Sequence, residues 1–328
     1  MRALIPVLVA AGIGLSACQS EPAPEPPRTL VSTGPQPAPA YDGAAEPAEA
    51  VLSLVPQSAD TITVMDWDAV RAQVGLPDLT SEDLMSDRSA FWERARGEAA
   101  LLTDGLLRQE TSRLELDYGF TQDDVDWEAR WTGEDGPGYV LALRPDLDLA
   151  GVRRAIADDI APLADAELVE VDHLVVSGTA EVDVWANEDQ WAPLVEEPAT
   201  ATYLQRGCYP LDEALGPDAD IEDQQALLAE HPVTTLDDLS GFAVAYADHI
   251  ATARLEPDRG DLFERLRIGE DWPDPTFSRL YAYGAADPST GRIGYTLSDP
   301  PAAAGLALLG ELPFAICADV TTVEEPTG

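Results

Sequence analysis

The stretch VDWEARWTGEDGPGYVLALR, residues 125–144, is where the fold class can be read. In its first part, Val125, Trp127, Ala129 and Trp131 alternate with Asp126, Glu128, Arg130 and Thr132. That is the period of two expected of a strand with one buried face. GYVLALR (138–144) is a second strand candidate, and GEDGP between the two holds the glycine, aspartate and proline of a tight turn. Strands joined by so short a link run antiparallel. On this reading Asp126, Glu128 and Arg130 form a solvated ladder on one face, and the tryptophans lie on the other.

Working outward, TITVMDW (61–67) is β-branched and apolar, and residues 88–120 carry Phe91, Ala95, Ala99, Leu102, Leu106 and Leu107 at helical spacing. After the hairpin, residues 147–163 read as an amphipathic helix with Val152, Ile156 and Ile160 on one face, and 167–178 as a strand. The later half repeats the order: a strand at 241–248, a helix at 258–268, a hairpin of 277–287 and 292–298 around PSTG, a helix at 300–312 and a closing strand at 313–323. The helix at 300–312 opens on prolines, which suit a first helical turn. Each half therefore reads β, α, β-hairpin, α, β. This order resembles the split βαβ, ferredoxin-like unit (βαββαβ), and Asp66–Trp67 is echoed by Asp248–His249. The expected class is α+β, with antiparallel sheets and helices. Two organisations stand open: two tandem ferredoxin-like units, or one continuous α+β domain. The expected boundaries are a first α+β domain at 51–180, a connector of helical and loop pieces at 181–239, and a second α+β domain at 240–328.

Charge excludes some functions. The chain holds 61 acidic residues against 19 arginines and no lysine, for a net charge of −42 at pH 7. A surface so acidic repels nucleic acid and anionic headgroups, and no basic stripe that could follow phosphates is visible in the sequence. The charge favours solubility and self-repulsion. Absence of lysine beside abundant Ala, Arg, Pro and Gly resembles exported proteins of actinobacteria; salt adaptation is the competing source of the acidity.

The amino terminus addresses the chain. Met1 and Arg2 form a small basic region, residues 3–14 are apolar, and LSAC (15–18) follows. The apolar run is shorter than the roughly 20 residues a membrane-spanning helix needs, and its layout is that of a cleaved export signal. LSAC resembles the lipobox of bacterial lipoproteins: Leu15, Ser16 and Ala17 match the recognition positions and Cys18 the lipidated cysteine. The resemblance implies a signal peptide of residues 1–17, a diacylglyceryl group on Cys18, and attachment to the extracytoplasmic face of the cell membrane. Residues 18–50, rich in proline and poor in large apolar side chains, read as a disordered tether. Export into an oxidising space predicts a disulfide between the two remaining cysteines, Cys208 and Cys317. Two buried free thiols are the alternative.

No constellation in the sequence assigns a reaction. DLDLAG (146–151) and PDADIED (217–223) both fail the EF-hand pattern. His173, His231 and His249 lack metal-ligand spacing, and Ser177 and Ser240 lie outside any GxSxG elbow. The acidic and aromatic candidates are Asp66, Trp67 and Asp68 at one place and Asp126, Trp127 and Glu128 at another. Carboxylates beside tryptophan suit a sugar hydrolase. The function expected first is a lipid-anchored, non-enzymatic binding module of the cell envelope, its partner an envelope protein or a small molecule, with no catalytic residue, metal or cofactor assigned. The alternatives are a carboxylate-dependent exported hydrolase of the glycoside class and an accessory subunit of a surface complex.

Overall fold

The computed structural model describes residues 35–320, Asp218 apart. Its framework is ten strands: β1 Ala59–Asp66, β2 Val125–Gly133, β3 Gly138–Leu143, β4 Glu167–Val169, β5 Leu174–Ser177, β6 Ala201–Arg206, β7 Gly241–Ala247, β8 Ile250–Arg254, β9 Tyr281–Asp287 and β10 Arg292–Leu297. The expected 125–144 hairpin is present as β2 and β3, in register from Glu128↔Leu141 to Trp131↔Gly138. Gly138 is required there, since a Cβ would sit 2.3 Å from the Trp131 ring that lies across it.

All ten strands form one sheet in the order β4-β5-β3-β2-β1-β6-β7-β8-β10-β9, and every neighbouring pair is antiparallel. The class is α+β. Within β1–β5 the strands lie first-second-third-fifth-fourth, and β6–β10 repeat that order. The two halves join through their first strands, β1 and β6, paired from Thr61↔Gln205 to Met65↔Ala201. The chain is thus a topological repeat, but not of split βαβ units, which bring strands parallel through a crossover.

Three expectations on domain layout change accordingly. The connector at 181–239 contains β6, a central strand of the sheet. Ala201, Thr202, Tyr203 and Leu204 are all buried, so β6 is covered on both faces and shows no alternation of polar and apolar residues. The second repeat therefore begins at β6, and residues 241–248 hold the place of β2 rather than β1. The closing strand at 313–323 is instead a helical turn at Pro313–Ala315, followed by a single bridge from Ile316 to Tyr209; residues 321–323 lie outside the described residues. Finally, the part of the tether from Gln36 onward belongs to the folded body. Pro37 bridges to Val182, and Ala48, Ala50, Val51 and Leu52 are buried.

The sheet has a core on each face. On one, the excursion from β1 to β2 supplies helices Trp67–Gln73 and Met85–Glu98, the excursion from β6 to β7 supplies Ile221–Glu230, and Ala150–Ala157 and Leu262–Glu270 follow β3 and β8. Their apolar sides (Val70, Phe91, Val152, Leu227 and Ile268) pack with Met65, Leu141, Tyr203 and Tyr246 of the sheet. On the other face, residues 48–55 and 184–195 cover Ile62, Val64, Trp127, Trp131 and Leu204. Trp185 and Trp191 stack there at 3.9 Å, with Arg206 over both rings and held by Glu188 at 2.9 Å.

The carboxyl-terminal segment is fastened to the body twice. Arg265, fully buried, donates to Asp261, to the Asp237 carbonyl, and to the carbonyls of Phe314 and Ile316. Cys317 is bonded to Cys208, with their Cα atoms 5.1 Å apart and a sequence separation of 109. Closing so long a loop constrains the unfolded chain. Replacing both cysteines with alanine is expected to lower the unfolding free energy by about 2–5 kcal/mol, read as a shift in denaturant midpoint against the oxidised wild type.

Candidate functional site

The acidic candidates at Asp66, Asp68 and Asp126 come together, whereas the tryptophans beside them do not join them. Asp66 ends β1 and caps the helix Trp67–Gln73, accepting from the Ala69 amide at 2.8 Å. Asp68 lies in that helix's first turn and Arg71 in its last. β2 runs beside β1 with Asp66 opposite Trp127, which brings Asp126 next to Arg71 at 3.6 Å. Arg71 is buried, bonded to Asp68 and to the Val125 carbonyl. Two carboxylates, Asp68 and Asp126, therefore pair with one guanidinium, and Asp66 lies within reach of its charge. Burial, opposed in part by the Ala69 hydrogen bond and Arg71 and reinforced by Asp68, pushes Asp66 up to about 6. Burial and then the Asp68 charge push Asp126 up to about 7, against the pull of Arg71.

No sugar platform accompanies this cluster. Trp67 is 1 % exposed and packs edge-on against Trp92, and Trp127 lies in the second core. The cavity that touches Asp66 measures about 10 Å³, room for about one water. The rings on which the alternative hydrolase reading relied, Trp67 and Trp127, are both buried.

Glu128 departs further from expectation. It does share a face with Asp126 and Arg130, but that face is roofed by the β1–β2 excursion, and Glu128 is fully buried. Its carboxylate accepts from the Thr103 hydroxyl, the Leu106 amide at 3.0 Å, Gln122 at 2.9 Å and Arg130 at 3.1 Å. Saturating a buried carboxylate in this way offsets its desolvation, and it pins the loop 103–106 to the sheet.

That loop forms one wall of a cleft of about 600 Å³, lined by Arg96, Asp104, Leu106, Arg108, Arg130 and Pro162 among others. A second cavity, of about 370 Å³, is lined by Asp223, Trp272, Asp274, Phe277, Leu306 and Glu311 among others. Residues of the excursions after the first and third strands line both, but Arg130 of β2 lines only the first, and Leu306 and Glu311, after the last strand, line only the second. Their chemistry differs: three arginines line the first, and carboxylates with aromatic rings line the second. Sequence reasoning missed the first because Arg96, Arg108 and Arg130 come from a helix, a loop and a strand. The available signal was scarcity, since cations are few in so acidic a chain.

The remaining candidates are structural. His231 is buried, with Nδ1 2.8 Å from Glu264 and Nε2 3.4 Å from Asp271. His173 and His249 sit in the turns before β5 and β8. Among the described residues no group of three or more His, Cys, Asp or Glu is arranged to hold a metal. Asp146 pairs with Arg144, and Asp220 caps the helix Ile221–Glu230 in a reciprocal box with Asp223, so the acidic loops tested as calcium sites are engaged locally. Asp218, and the lipobox residues Leu15, Ser16, Ala17 and Cys18, lie outside the described residues. No described helix is long and apolar enough to cross a membrane.

No family model matches the chain, and no curated protein matches it. A solved structure of TP0453 in its crystal form I overlays on 83 % of this chain and 100 % of its own, at 8 % identity and a TM-score of 0.33. A likeness that distant carries no argument about function.

The carboxylate cluster makes stability depend on pH. A carboxyl whose folded pKa exceeds its unfolded value holds its proton more tightly when folded, so stability falls as pH rises from the ordinary range near 4 through the folded value. For Asp126 that window ends at about 7. Asp126→Asn removes the ionisation, so its thermal midpoint is expected to rise relative to wild type between pH 5 and pH 8. A constant difference across that range would contradict the assignment.

Proposed function

We propose that the protein is a lipid-anchored, extracytoplasmic component of the cell envelope that acts by binding rather than by catalysis. The carrying observation is the combination of the lipobox-like Leu15-Ser16-Ala17-Cys18 with a folded body whose other two cysteines are paired. Paired structural cysteines fit an oxidising space and are rare in a reducing one. The body begins at Gln36, so the chain between it and Cys18 can span at most about 60 Å fully extended. That length sets how far from a bilayer the body can work. The two acyl chains of one diacylglyceryl group are enough for stable attachment.

The binding reading draws support from the cavities rather than the carboxylates. Asp68 and Asp126 are engaged with one arginine, and Asp66 touches a space too small for substrate, whereas the two larger cavities lie open elsewhere. A detergent phase-partition experiment on the full chain in its own envelope tests the anchor. Wild type is expected in the detergent phase and Cys18→Ala in the aqueous phase. Identical partition of the two would contradict the proposal.

A further inference from the structure

The cleft of the first half is cationic in a molecule of net charge −42. Elsewhere, buried arginines are matched with carboxylates: Arg259 and Arg265 with Asp261, Arg254 with Glu197, and Arg144 with Asp124. Arg108, half-buried, is an exception, and the exposed Arg96 beside it is unpaired as well. Neither side chain makes an ion pair or a hydrogen bond to another described residue, although carboxylates outnumber arginines threefold in the chain. Arg130, the third, has one partner, Glu128, which also accepts from three other donors. Both Arg108 and Arg130 keep a buried N–H without a partner, at Nη1 and Nε respectively. A buried, unmatched donor on a cation is costly, and the cost is relieved by an acceptor.

Arg108 is held in place without an ion pair, and Arg130 has Glu128 alone. The Arg108 guanidinium lies 3.9 Å over the centroid of Trp92. That indole is fixed in turn: its N–H donates to Asp123 at 2.8 Å, and its ring meets Trp67 and Phe91 edge-on. Glu128 both holds Arg130 and ties down the loop that carries Asp104 and leads to Arg108. Burial, followed by the like charge of Arg96, lowers the Arg108 pKa, while Asp104 and Asp123 act more weakly in the other sense. Asp104 and Glu110 also line the cleft. They leave the lining cationic by one charge and give acceptors for hydroxyl or amino groups.

We propose that this cleft is a binding site for a small organic oxyanion, with the carboxylate or phosphate head group received by Arg96, Arg108 and Arg130 and a hydroxylated or amino-bearing remainder facing Asp104 and Glu110. Guanidinium groups bind both kinds of head through paired N–H donors. A volume of about 600 Å³ suits a ligand of metabolite size. The proposal deepens the reading of the chain as a binding protein and is independent of its anchor, so phase partition and anion binding fail separately.

Calorimetric titration of the full chain in detergent, with citrate in one arm and inorganic pyrophosphate in the other, tests it against chloride at matched ionic strength. Binding of at least one of the two is expected, and the tighter arm identifies the head group. Arg108→Gln and Arg96→Gln are each expected to weaken it by about tenfold or more, the loss of a hydrogen bond to a charged group. Arg96 is exposed, so its variant keeps the test valid should loss of the Trp92 stack impair folding. Arg153→Gln, which breaks only an exposed pair with Glu170, is expected to leave affinity unchanged. Failure of both anions to bind more tightly than chloride, or equal affinities for Arg96→Gln and Arg153→Gln, would overturn the proposal.

Discussion

The antiparallel pairing of β1 with β6 is the constraint on which the rest of the structure depends. Each half carries the same five-strand order, and each alone would leave its first strand as an exposed edge. An unpaired edge is a liability that folded proteins cover. Here each half covers the other's, through register pairs from Thr61↔Gln205 to Met65↔Ala201. Because that seam is antiparallel and the halves share an order, their helical excursions fall on one common face. The opposite face at the seam is closed by the amino-terminal turn and by the Trp185–Trp191 stack.

The first and third excursions border a cavity in both halves, and the two are lined differently. In the first half a longer excursion, residues 67–124, brings down Glu128's partners and sets arginines around the opening. In the second, residues 207–240 make a shorter excursion, and Trp272, Phe277 and carboxylates line the cavity. One scaffold thus presents a cationic and an acidic opening on the same side of the sheet. An overall charge of −42 says nothing of this local contrast, which depends on which cations fold without a counter-ion.

Much of the fold was legible because short-range signals and long-range packing agree. The 125–144 hairpin has both alternation and turn chemistry, and a hairpin does stand around PSTG, though its first strand begins at Tyr281 rather than 277 because Thr276–Leu280 is helical. The expected strand at 167–178 divides into β4 and β5, because His173 takes a positive φ of 54° and reverses the chain. β6 was hidden because burial on both faces erases the period of two. The Asp66–Trp67 and Asp248–His249 echo misaligned the repeat: the first pair opens a helix, whereas the second is the turn between β7 and β8. Glu128 read as solvated because nothing local announces a roof built from residues about twenty positions earlier. The cleft arginines were illegible for the same reason, since their meeting is a property of the tertiary fold.

The seam makes a direct demand on dynamics. Amide hydrogen exchange, resolved by residue under native conditions, measures the free energy of opening at each strand. If β1 and β6 bind the halves into one sheet, the amides of residues 62–65 and 201–204 will be among the last to exchange and will share a single opening free energy with the interiors of β2 and β7. Separate opening of residues 59–177 and 201–297, or exchange at the seam faster than in β2 and β7, would contradict the account.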